Sequence, residues 1–177
     1  MKYLLSVFFS FFCIQLLAQK NNLVIYWSHE RKLVWDDFKA SPPKNSPLAA
    51  VTNTHIGFSF YYSNNKLNHS IDCHFNQYNS WGIVKTDFIL QHEQGHFDIA
   101  EIFARKLKKS IVEYQFNSTN YRNDLDTIFE KITTEESEFQ KLYDNETNHS
   151  RNKQRQFEWV EKITQQLNLL NSYSNYR

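Results

Sequence analysis

Residues 90–101 read Leu90-Gln91-His92-Glu93-Gln94-Gly95-His96-Phe97-Asp98-Ile99-Ala100-Glu101 (LQHEQGHFDIAE). Ile89, His92, His96, Ala100, Phe103 and Leu107 recur at the i, i+3, i+4, i+7 spacing of one helix face. Thr86 suits an N-cap and Asp87 the positive end of a helix dipole, so the spacing predicts a helix from about Asp87 to about Tyr114. Two histidines four apart project from one face, and their imidazoles can converge on one ion about 2.0–2.1 Å from each nitrogen. Glu93, about 100° further round, stands beside that ion and can take a proton from a water bound to it. His-Glu-x-x-His on a helix is the arrangement of zinc hydrolases, and a chance match in this composition has a probability of about 1–2%. Gly95 lies between the two histidines, where the missing side chain allows close approach by substrate or by another packed element.

Working outward, the N-terminal half alternates with period two. Residues 23–27 (LVIYW) form a short strand, and residues 33–38 (LVWDDF) a short amphipathic piece. Pro42-Pro43 and Pro47 mark a loop. From Ala49 to Tyr62, Ile56, Phe58 and Phe60 share one strand face; His55, Gly57 and Ser59 share the other. Ser63-Asn64-Asn65-Lys66 is a hairpin turn, and Leu67 to Phe75 alternates again. Beyond the central helix, a second spans roughly Asn123 to Asp144, with Leu125, Ile128, Phe129, Ile132, Phe139 and Tyr143 as its stripe. A third runs from about Ser150 to Leu170, with Phe157, Val160, Ile163, Leu167 and Leu170 facing inward. Strands first and helices after define an α+β fold: a small N-terminal antiparallel sheet followed by a three-helix C-terminal half.

Residues 1–19 have the layout of a secretory signal peptide: Lys2, an apolar run from Leu4 to Leu17, then Ala18-Gln19. The expected mature chain is a single domain over residues 20–177, secreted or periplasmic, with no stable membrane span. Of the 20 basic and 19 acidic residues, only Lys2 lies in the leader, so the mature chain is near neutral. It carries no basic field for a phosphate backbone, and nucleic acid is not an expected partner. The leader also contains Cys13, which leaves Cys73 alone in the mature chain, unable to form an internal disulfide and suited to a buried apolar position. The aromatic load of 15 Phe, 10 Tyr and 4 Trp is read as core filling.

A catalytic zinc takes three protein ligands and leaves a position for water. A compact third histidine six residues after His96 is absent, since position 102 is Ile. The remaining choices are Glu136 in the second helix, Asp144 and Glu146 near its end, and His149 at the joint between the second and third helices.

These motifs, with their flanks, resemble a bacterial domain family of uncharacterised function described as secreted zinc-dependent proteases with a zincin-like site. The similarity rests on the LQHEQGHFDIAE segment, Arg31–Phe38 (RKLVWDDF), the Pro42-Pro43 loop, Ala49–Thr54 (AAVTNT), and Tyr143-Asp144, Glu146-Thr147 and Asn148-His149, followed by Gln154 and Trp159. It implies His149 as the third zinc ligand, with Asp144, Glu146 and Glu136 as rivals. Ser150 stands where the resemblance leads one to expect Gly.

The expected activity is that of a zinc metallopeptidase acting on a peptide or protein substrate. His92, His96 and His149 hold Zn2+, Glu93 is the general base, and Tyr143 is a donor to the developing oxyanion. Asp98 or Glu101 would accept the free N–H of a ligand histidine, and an edge of the sheet could pair with an extended peptide. Two other readings share these residues. One is a non-catalytic module, braced by the metal, that grips cell-wall glycan or a partner protein. The other is a hydrolase that cuts an amide of peptidoglycan.

Overall fold

A computed structural model describes residues 23–176. The expected leader, residues 1–19, lies outside the described residues. Among those described, no helix is long and apolar enough to cross a membrane.

The elements follow the expected order. A three-stranded antiparallel sheet has the order β1-β4-β3, with β1 at Val24–Tyr26, β3 at Thr54–Ser63 and β4 at Lys66–Asn76. Asn64 and Asn65 turn the β3–β4 hairpin at positive φ (50° and 57°), a conformation asparagine tolerates better than most residues. The strand expected from Ala49 to Tyr62 is broken in two: Ala50–Val51 (β2) leaves the sheet and pairs with Trp81–Gly82 (β5) as a separate ribbon. No run of alternating residues marks β5, which is two residues long.

Three helices complete the chain: α1 at Asp87–Glu113, α2 at Tyr121–Thr147 and α3 at Lys153–Leu169. Thr86 caps α1 as expected, its hydroxyl accepting from the Ile89 amide at 3.3 Å. The expected single apolar stripe understates α1. It packs against β3 and β4 on one side and against α2 and α3 on the other, so Phe97, Ile99, Ile102 and Ala104 are buried as well as Ala100, Phe103 and Leu107. Each large apolar side chain so buried contributes about 1.5–3 kcal/mol. Ile56, Ile71, Cys73 and Phe75 close the core from the sheet side.

The inward face of α3 is rotated from the expected one. Gln156, Trp159 and Ile163 are buried, whereas Phe157 is 55% exposed. Trp159 nests against Phe139 and Tyr143 of α2, and this larger contact sets the rotation.

Candidate metal centre

The middle of α1 brings His92 and His96 against α2 and α3. The two Nε2 atoms lie 3.2 Å apart. Asp144, three residues before the end of α2, places Oδ1 3.1 Å from His92 Nε2 and 3.3 Å from His96 Nε2. These three side chains form a group able to hold a metal ion. Corners of a tetrahedron around a zinc ion at about 2.0–2.2 Å would be separated by about 3.3–3.5 Å, close to all three edges.

The hydrogen-bond network fixes which ring nitrogens are bare. Tyr143 Oη is 3.1 Å from the His92 carbonyl, which can only accept, so the phenol donates. Its oxygen then accepts from Gln156 Nε2 at 2.7 Å. Gln156 Oε1 therefore faces His92 Nδ1, at 2.8 Å, and Nδ1 carries the hydrogen. The same logic holds at His96. Gln140 Nε2 donates to the His96 carbonyl at 3.0 Å and to Glu136 Oε1 at 2.7 Å, so Gln140 Oε1 accepts from His96 Nδ1 at 2.6 Å. Both Nε2 atoms are then left as lone pairs facing each other and a carboxylate. Such a triangle is stable only with a cation in it, either a proton or a metal ion.

The protonation balance follows. With a proton rather than a metal ion in the triangle, burial alone would raise the Asp144 pKa, but hydrogen bonding to the protonated His92–His96 pair and the charge of that pair hold the carboxyl well below the usual range. Burial alone would lower His96; the Asp144 hydrogen bond and the charges of Glu93 and Asp144 outweigh it, and the pKa is raised. Burial raises Tyr143, which keeps the phenol protonated and donating. It also raises Glu136, partly offset by the Gln140 hydrogen bond.

Glu93 lines the same cleft, is 3% exposed, and its Oε2 has no hydrogen-bond partner among the described residues. A buried carboxylate oxygen left unpaired costs about 1–3 kcal/mol or more and calls for an explanation. The opposite wall is the segment 48–52, which includes β2.

The other expected site residues fall differently. His149 lies one step outside the triangle, its Nδ1 3.2 Å from Asp144 Oδ1, with its side chain 43% exposed at the cleft mouth. Asp144, not His149, closes the triangle. Tyr143, expected as an oxyanion donor, is fully buried behind the cleft lining, and its hydroxyl is engaged by the His92 carbonyl and Gln156. Its ring stacks on His92 at 4.6 Å and 19° and holds that imidazole in place. Gly95 serves this packing: a Cβ there would collide with the Tyr143 hydroxyl. Glu146 is engaged by Arg155 and by Trp159 Nε1, and Glu136 accepts from Gln140, the residue that holds His96.

Asp98 and Glu101, expected behind the histidines, are engaged by other residues. Asp98 accepts from Trp27 Nε1 at 2.7 Å and Gln94 Nε2 at 2.8 Å; Glu101 is bound by Arg105 and Tyr176. The supporting residues are Gln140 and Gln156, which sequence reasoning missed. The available signal was a polar residue on the apolar stripe of each helix.

Ser150 ends a run of three residues at positive φ, Asn148 (49°), His149 (50°) and Ser150 (68°), which turns the chain from α2 into α3. The left-handed backbone gives the physical reason glycine suits position 150.

Fold and site together define an α+β protein in which two histidines of the central helix and one carboxylate of α2 form a cluster able to hold a metal ion. Residues 50–150 match a family model described as "Bacterial protein of unknown function (DUF922)". That span covers more than half of the chain, and the protein belongs to this bacterial family. No curated protein and no solved structure matches it.

Proposed function

We propose that the protein is a secreted zinc-dependent metallopeptidase with His92, His96 and Asp144 as ligands and Glu93 as general base. The supporting observation is the pair of bare Nε2 atoms, fixed by two glutamine relays, converging with Asp144 at spacings suited to zinc. Imidazole and carboxylate donors suit zinc, which would lower the pKa of a water to about 7 and polarise a carbonyl. The buried, unpartnered Oε2 of Glu93 is the acceptor such a water would need. Glu93 takes the proton during attack and returns it to the leaving amine. His149, whose Nδ1 lies 3.2 Å from Asp144 Oδ1 at the cleft mouth, would help hold that carboxylate in its orientation. The segment 48–52 supplies a wall along which an extended peptide can lie.

Metal analysis combined with cleavage of peptide libraries, with and without chelator, tests this reading. Glu93→Gln should keep zinc and lose activity by about 10²–10⁴-fold; His96→Ala should lose both. Hydrolysis by Glu93→Gln at the wild-type rate would overturn the mechanism. Bound zinc without turnover on peptides or peptidoglycan would favour a binding module.

A further inference from the structure

A second pair of histidines faces solvent on the side of the sheet away from the helices. His55 of β3 and His74 of β4 are directly opposite each other in the antiparallel register, where facing Cβ atoms lie about 4.5–5.5 Å apart. Their ring centroids are 5.2 Å apart, compared with 4.8 Å for His92 and His96, whose nitrogens converge.

His74 is oriented by its neighbours. Asp72 Oδ1 lies 2.6 Å from His74 Nδ1. A carboxylate can only accept, so Nδ1 carries the hydrogen and Nε2 is left with its lone pair for another partner. Asp72 can lean over the sheet because Gly57 is its cross-strand partner; a Cβ at Gly57 would collide with the carboxylate. On the other flank Tyr26 of β1 meets His74 edge-on at 5.9 Å and 79°. His55 is exposed and the His74 side chain is 19% exposed, so solutes reach both rings. A carboxylate holding one imidazole, with a second imidazole alongside, is the support that metal-binding histidines use.

We propose that His55 and His74 form a second, surface metal site for a borderline divalent transition cation, with Asp72 as positioning residue. Imidazole nitrogen favours Cu2+ over Ni2+ and Zn2+. Two protein donors leave the other positions to water, so affinity depends on how well His74 is held.

The test is Cu2+ titration of the intact protein, followed by calorimetry and electron paramagnetic resonance. Folding of each variant is checked by circular dichroism. In a His96→Ala background, which disables the helix centre, one Cu2+ per chain should remain and show nitrogen coupling. Adding His55→Ala or His74→Ala should weaken it roughly tenfold or more, and Asp72→Asn by about 10–100-fold. Unchanged Cu2+ affinity in a folded His55→Ala/His74→Ala variant on that background would overturn the proposal. A wild type that binds one Cu2+, lost with His74→Ala and kept with His96→Ala, would sink the helix centre and leave this site standing.

Discussion

Helix α1 carries two buried polar clusters built on opposite rules. At Glu101 and Arg105 donors meet acceptors. Glu101 accepts from Arg105 Nε at 2.8 Å and from the Tyr176 hydroxyl. Arg105 Nη1 donates to the Leu167 carbonyl at 2.7 Å, and the guanidinium covers the Trp27 ring at 5.0 Å. Toward the N-terminus of the same helix acceptors accumulate instead: His92 Nε2, His96 Nε2, the Asp144 carboxylate and Glu93 Oε2. The first cluster ties the C-terminal residues to the core and is complete. The second is complete only with a cation. An excess of buried acceptors, not burial or charge alone, separates a candidate site from a structural brace.

The sharpest way to break this contrast is to damage the brace. Glu101→Ala leaves Arg105 buried without its carboxylate and should cost about 3–5 kcal/mol in urea denaturation. Metal stoichiometry should stay at the wild-type value; a proportional loss of metal would mean the clusters are one unit. Next in size is the response to zinc. At about 100 times its Kd, Zn2+ should stabilise the wild type by about 2.7 kcal/mol in thermal melts. A similar shift in His92→Ala would show that zinc binds elsewhere.

Smaller effects test the relays. Gln140→Ala and Gln156→Ala should each weaken zinc by about 10–100-fold in a competition assay with a chromogenic chelator. Unaltered affinity would mean the rings are held by packing alone. The smallest change is at the turn: Ser150→Gly relieves a left-handed residue at φ 68° and should add about 0.5–1 kcal/mol of stability by chemical denaturation. A net loss would show that the serine side chain contributes more than the backbone strain removes.

Much of this architecture is legible in local sequence. The β3–β4 hairpin follows from alternation around Asn64-Asn65, and α1 from its capping threonine and apolar period. His92 and His96 share a face because helical spacing alone places them there. What lies beyond local pattern is where distant segments meet. Gln140 and Gln156 sit 44 and 64 residues from the histidines they hold, and glutamine is an ordinary helix former. Asp144 over His149 is likewise decided by the end of α2, where the last helical turn carries the carboxylate inward while the left-handed turn carries His149 toward solvent. Phe157 points outward because Trp159, two residues on, claims the space beside Phe139.

Both histidines of the triangle lean on uncharged carboxamides, whereas a carboxylate in that place would draw the ring hydrogen toward itself and make the opposite nitrogen a stronger electron donor. With amides behind them the rings surrender less electron density. An ion seated there would keep more of its electron-withdrawing strength, and its exchange with solution would be quicker than in a carboxylate-backed centre of the same shape.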